Sequence, residues 1–289
     1  MTPDPSEPSL AEFLALSPEQ IAPLAPSTVI YAAGGTRRQA VLAGIDPRDP
    51  QAWARWGLEQ QIACCALLFQ HGVHHIVTHA LVPSQLQEVG PYRAQLLELA
   101  AYIGGSEARA QYIRRGWRVR LVGTEDLPEL HPTAARLQAE TLTDSRYTVW
   151  WTVTPTHEAL WRRILAAGAA GARTQAEAIA LVYGAAIPPA TLLLATGKPI
   201  AAPDLLPPLL MGQMQCYWSQ RPGYSLTTPE LRAILYDYAY RRATWREDKT
   251  GRADAALVYQ STLEQSRILG LGRRLGPFWY PTDGALAEN

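Results

Sequence analysis

The sequence predicts an α/β domain with a mainly parallel central sheet of about six strands wrapped by helices, on three observations. Short apolar runs alternate with longer segments of helical periodicity, the pattern left by strands crossed by helices. Glycine and proline punctuate these runs, as at Gly34-Gly35 after the first of them. Finally, 289 residues, 47% of them hydrophobic, suffice for one large core, and no repeat or low-complexity tract divides the chain.

Residues 1–25, with Pro3, Pro5, Pro8 and Pro18 among acidic residues, read as a loose arm with one short helical turn, and the domain is expected over 26–289. The first strand is expected at 28–33, stopping at Gly34 and Gly35. Over 52–70, Trp53, Trp56, Ala63 and Leu67 recur at helical spacing and share a face, and Gly72 ends that helix. A second strand at 75–80, a helix over 91–115 and a third strand at 117–122 follow, then a fourth strand at 147–154 and a helix over 158–167. A helix over 176–183 precedes a fifth strand at 191–196 and a sixth at 214–218. Thr228 and Pro229 make a helix entry, a capping hydroxyl followed by proline at the first helical position. That helix carries Tyr236 and Tyr240, and places Asp237 and Arg241 four apart, the spacing of a helix ion pair. The glycine-rich, aromatic tail over 269–280 is expected to lie against the domain. In such a sheet, binding groups belong at the carboxyl ends of the strands.

With 26 Lys plus Arg against 26 Asp plus Glu, no overall field recruits nucleic acid or an anionic membrane, so an anion site must be local. The basic residues are arginines except Lys198 and Lys249. Cys64, Cys65 and Cys216 are odd in number with two adjacent, and the start lacks the basic and apolar regions of a signal peptide, which points to a reducing, cytoplasmic compartment. No apolar run reaches the roughly 18 residues of a membrane span. The longest candidate, over 190–210, is interrupted by Lys198, Pro199, Pro203 and Asp204.

The sharpest local feature is Gly34-Gly35-Thr36-Arg37-Arg38. Two glycines let the chain turn tightly, a following helix start offers unsatisfied N–H groups to a phosphate, and the arginines add charged forks. The bland alternative is an ordinary strand-to-helix turn with solvated arginines. The segment lacks the lysine of a Walker loop and the third glycine of a dinucleotide fingerprint. His71, His74, His75 and His79 suggest a metal cluster at first sight, yet no carboxylate or cysteine sits at ligand spacing, so they read as structural. His79, at the carboxyl end of the second strand, can still serve a site. Tyr92, at the opening of a helix, suits either a diphosphate contact or packing. Trp53, Trp56, Trp150, Trp151 and Trp161 supply aromatic mass that fills a core or lines an apolar pocket able to stabilise a carbocation.

The chain resembles the cis-prenyltransferase superfamily, and within it the tuberculosinol synthase-like diterpene synthases. The likeness rests on TVIYAAGGTRR at 28–38, ALLFQHGVHHIV at 66–77, GPYRAQLLEL at 90–99, ELRAILYDYAYRR at 230–242 and SRILGLG at 266–272. The resemblance implies a six-stranded parallel sheet, a homodimer, and an apolar tunnel opening at a diphosphate site. Ordinary members condense isoprenyl diphosphates with magnesium, whereas the diterpene synthase branch ionises a bicyclic C20 diphosphate and quenches the cation with water. By the same likeness Arg37 and Arg38 match the arginines that hold diphosphate, and Tyr92 matches a tyrosine near it. A further family tyrosine aligns approximately with Trp53.

The family's Asp-Gly is replaced by Gly34-Gly35, and a carboxylate-rich stretch after the second strand by Pro83 and Ser84. The resemblance implies Mg2+ as cofactor, and the loss of the aspartate at Gly34 weighs against it. Expected catalytic residues are therefore Arg37, Arg38 and Tyr92, with Gly34, Gly35, Thr36, Trp53, Trp56 and His79 binding substrate and no metal ligand assigned. Three readings follow. One is a terpene synthase that ionises a prenyl or cyclic diterpenyl diphosphate to an alcohol or hydrocarbon. The others are a cyclase or isomerase of an uncharged apolar substrate, and a non-catalytic partner of a cis-prenyltransferase.

Overall fold

A computed structural model of the chain describes residues 7–46, 48–241, 250–266 and 268–282. Two short helices, α1 (Leu10–Ala15) and α2 (Pro18–Ile21), precede β1 (Thr28–Ala32), α3 (Thr36–Leu42) and the long α4 (Pro50–Gln70). Next come β2 (His75–Leu81), α5 (Pro83–Leu86), α6 (Pro91–Tyr102), α7 (Ser106–Arg114) and β3 (Arg118–Val122). The chain continues through α8 (His131–Glu140), β4 (Thr148–Val153), α9 (His157–Ala169), α10 (Gln175–Tyr183), β5 (Ala190–Thr196) and β6 (Met211–Ser219). It ends with α11 (Thr228–Tyr236), a π-helical turn (Asp237–Arg241), α12 (Arg252–Val258), α13 (Gln260–Glu264) and a hairpin of β7 (Gly272–Leu275) and β8 (Phe278–Pro281).

The six strands form one sheet in the order β3-β4-β2-β1-β5-β6, and every neighbouring pair is parallel. The α/β expectation is met. The central strands are buried on both faces, as helices on both sides require. Successive side chains face opposite ways, so Trp150 and Trp151 enter different cores. Trp151 packs under α4, α6 and α11, whereas Trp150 packs under α10 and the segment around Leu206–Leu210.

Four details depart from the sequence reading. The expected loose arm is folded over residues 10–24: Ser9 and Ser17 each close a reciprocal capping box, and Phe13 and Ile21 are fully buried. Prolines shorten these helices, and the caps with two buried apolar side chains hold them. The helix expected over 91–115 is two helices, broken where a Cβ on Gly104 would stand 2.6 Å from Thr133 Cγ2. The cap of α11 is Thr227, one residue before the one expected, in a capping box with Glu230. Asp237 and Arg241 do not pair, because the π turn changes their relation. Asp237 accepts from the Tyr217 hydroxyl, and Arg241 pairs with Glu7 at 3.3 Å.

Candidate functional site

A cavity of about 450 Å³ opens at the carboxyl ends of the strands. Its floor comes from Ala32 of β1, Thr78 to Leu81 of β2, Trp151 of β4, Ala195 and Thr196 of β5, and Trp218 of β6. Its wall comes from α4 (Trp53, Ala54, Gly57, Leu58, Gln61) and α6 (Leu96, Leu99, Ala100, Tyr102). Asp49 caps α4 and Pro50 opens it, so the helix starts at the rim and lays small residues, Ala54 and Gly57, against the open space.

Between β1 and α3 the chain crosses the rim. Gly35 takes φ 73°, a left-handed value that favours glycine. Gly34 is held from two sides: its N–H donates to Thr196 Oγ1, that hydroxyl donates back to the Gly34 carbonyl at 2.8 Å, and the Gly223 N–H donates to the same carbonyl at 2.6 Å. A Cβ at Gly34 would lie 2.9 Å from Thr196 Oγ1. The Thr196 hydroxyl thus occupies space that any larger residue at position 34 must contest.

The expected residues divide as follows. Gly34, Thr36, Trp53 and His79 line the cavity, whereas Trp56 stands behind it, its ring 6.2 Å from that of Tyr224, which does line it. Arg37 is exposed beside the rim. Arg38 folds its guanidinium back over Gly35 and lies 4.6 Å from the Phe278 ring centre, so the terminal hairpin reaches the rim. Tyr92 falls in the first turn of α6, and its side chain lies outside those described. Of the other tryptophans, Trp151 lines the cavity, Trp150 is core, and Trp161 is 49% exposed.

Sequence reasoning missed Lys198, Asp204, Gln61, Thr78, Trp218 and Tyr224 as lining residues. Lys198 had two signals: it is one of two lysines, and it follows β5 at Gly197, where binding groups were expected. Among the described lining residues Asp204 is the one carboxylate, and its Oδ1 lies 2.8 Å from His157 Nε2.

His79 has an unusual setting. Its Nδ1 is 3.0 Å from Thr152 Oγ1, while its Nε2 is buried with no hydrogen-bond partner. Burial pushes its pKa down to about 4, against the opposing influence of Asp204 and the Leu205 carbonyl, so the ring is neutral near pH 7. Deeper in, burial also raises the Tyr224 phenol and the Cys65 thiol, leaving both uncharged. The cavity is therefore a mainly apolar, aromatic chamber with one cation, Lys198, among its described lining residues and two arginines beside its rim.

The resemblance implies magnesium, whose protein ligands would have to come from clustered donors, oxygen above all. Among the described residues no group of three or more His, Cys, Asp or Glu side chains gathers in one place.

A six-stranded parallel sheet with its cavity at the carboxyl edge places the chain among proteins of the cis-prenyltransferase fold. Lavandulyl diphosphate synthase from Lavandula x intermedia, in complex with dimethylallyl diphosphate, superposes with a TM-score of 0.61 at 14% identity, covering 78% of this chain and 98% of that one. A probable undecaprenyl diphosphate synthase from Campylobacter jejuni gives 0.57 at 13% identity, over 75% and 97%. No family model matches the chain. In sequence it is 43% identical over 277 residues to (+)-kolavelool synthase of Herpetosiphon aurantiacus, covering 95% of this chain and 96% of the relative. The chain belongs to the diterpene synthases built on the cis-prenyltransferase fold and is an enzyme of the terpene-synthase type. No helix among the described residues is long and apolar enough to cross a membrane.

Proposed function

We propose that the enzyme ionises a prenyl or bicyclic diterpenyl diphosphate and quenches the carbocation with water or by proton loss, releasing a terpene alcohol or hydrocarbon. The observation that carries this reading is the cavity itself, about 450 Å³ of mainly apolar and aromatic wall with its cations at one edge. In this reading the diphosphate sits beside Gly34, Gly35 and Thr36, held by Arg37, Arg38 and Tyr92, with Lys198 on the facing loop. Charge that develops on the leaving oxygens meets fixed cations there, and the cation left on the hydrocarbon meets the faces of Trp53, Trp151 and Trp218.

The described residues do not fit a resident magnesium site. Gly34 supplies no carboxylate, Thr196 crowds its position, and Asp204 is engaged by His157. The steps assigned here pass through the chain's own residues. The 43% identity to a kolavelool synthase supports the terpene synthase reading over the uncharged-substrate and non-catalytic readings. We include in the proposal the homodimer implied by the resemblance, the assignment of 26–289 to one domain and a cytoplasmic location. Light scattering that returns a mass near 31.8 kDa at working concentration removes the dimer.

The test is product analysis by mass spectrometry after incubation with geranylgeranyl diphosphate or bicyclic C20 diphosphates, with and without magnesium and isopentenyl diphosphate. A C20 alcohol or hydrocarbon formed without isopentenyl diphosphate is expected. A longer prenyl diphosphate formed only in its presence contradicts the reading.

A further inference from the structure

A buried polar atom without a partner is rare enough in a folded protein to need a reason. His79 Nε2 is such an atom, on a side chain that lines the cavity. The opposite edge of the ring is fixed: Thr152 Oγ1 lies 3.0 Å from Nδ1 and 3.2 Å from the Thr78 carbonyl. The hydroxyl has one proton. When it goes to the carbonyl, which can only accept, the Thr152 oxygen must accept from Nδ1–H, and Nε2 is left as a bare lone pair.

We propose that His79 is the proton acceptor that ends the reaction, its Nε2 lone pair taking the proton released as the carbocation is quenched, with Thr152 as the positioning residue that sets the tautomer. This rests on the terpene synthase reading above and names the group that completes it. In the first step the C–O bond to the diphosphate breaks and its electron pair leaves with the diphosphate. A water oxygen then forms the new C–O bond, and the O–H bond of that water breaks as its proton moves to Nε2. The products are a neutral alcohol, inorganic diphosphate and an imidazolium that returns its proton to solvent. If no water reaches the cation, a C–H bond beside it breaks instead, its electrons form a C=C bond, and the same nitrogen takes the proton.

The surroundings suit the role. A protonated alcohol or a carbocation is a strong acid, so a base of low basicity suffices, and a ring with a pKa near 4 is not already protonated at neutral pH. The charged or titratable groups lining the same cavity are Lys198, Asp204, Tyr102 and Tyr224, with His157 behind Asp204. Lys198 is a cation, Asp204 is held by His157, and the Tyr224 phenol is raised by burial, which leaves His79 as the one neutral nitrogen base among the described lining side chains.

Two measurements test this. Nitrogen-15 NMR of labelled protein should place the proton of His79 on Nδ1 at pH 7, and Thr152→Val should mix the tautomers. A proton on Nε2 in the wild type, donated to the nearby Leu205 carbonyl, overturns the proposal whatever the turnover. In kinetics, His79→Gln should lower kcat by at least about 100-fold with KM within about threefold, and added imidazole should partly restore His79→Ala. Wild-type turnover with His79→Gln unimpaired removes this role alone. A wild type that leaves every prenyl diphosphate intact removes the terpene synthase reading and the role with it.

Discussion

At the amino ends of the strands, three histidines have partners. His71 Nδ1 lies 2.8 Å from the Leu67 carbonyl and its Nε2 accepts from Arg232 at 3.2 Å, His74 accepts from Arg146 at 3.0 Å, and His75 accepts from the Trp150 indole at 3.3 Å. At the carboxyl ends, His79 on the same strand as His75 keeps one nitrogen without a partner. The N-terminal helices close the first end, bringing Ala22 against Gly72 and the Leu14 carbonyl to Arg232 at 2.6 Å. The second end stays open as the cavity. Residue type therefore says little about a histidine's role, whereas its place along a parallel strand and whether a ring nitrogen is buried without a partner say much.

If that contrast is right, changes at the two ends should separate stability from chemistry. Among substitutions, Phe13→Ala should have the largest effect on stability, a loss of about 3–5 kcal/mol, because the ring is fully buried against Tyr236 and Tyr240. Urea denaturation measures it, and the folded variant should keep the wild-type kcat. A change below about 1 kcal/mol would mean that the arm is not part of the core.

Acid should act next. Burial pushes both His75 and His79 down to about 4, whereas an unfolded histidine titrates near 6.5. As pH falls from about 6.5 to 4 the unfolded chain takes up protons that the folded one refuses, so stability is lost across that window, by at most about 1.4 kcal/mol per pH unit for each group. Denaturation midpoints that stay level from pH 7 to 4.5 would contradict this.

At the open end, Arg38→Ala should weaken pyrophosphate binding by about 1.5–3 kcal/mol, or roughly 10- to 150-fold, while leaving unfolding within about 0.5 kcal/mol of wild type. Equal affinity in calorimetry would move the diphosphate away from Arg38. The smallest effect sharpens the account of the rim. Gly34→Asp should destabilise by about 1–3 kcal/mol by crowding Thr196 Oγ1, and Thr196→Ala in the same chain should relieve part of that loss. Additive effects would mean that Thr196 does not contest the position.

The sheet was legible because six apolar runs end in turn residues, and each strand lies within a few residues of its expected bounds. The carboxyl-end rule also placed Gly34, Thr36 and His79 at the cavity they line. What the sequence hid depends on distance in the chain. Thr196 is 162 residues from the glycine it clasps, and Thr152 is 73 from the ring it orients, so no local pattern pairs them. The break at Gly104 comes from a close approach to Thr133 on another helix, and helical periodicity cannot register that. The arm was misread for the reverse reason: its prolines are conspicuous, while the contacts that bury Phe13 come from the far end of the chain.

In the proposed reaction the carbon–oxygen bond of a prenyl diphosphate breaks in this cavity and water captures the cation. Turnover in water enriched in oxygen-18, with mass spectrometry of both products, tests it directly. Label in the C20 alcohol and none in the released diphosphate is the predicted result. Label in the diphosphate with none in the alcohol would mean attack at phosphorus, and would contradict the account.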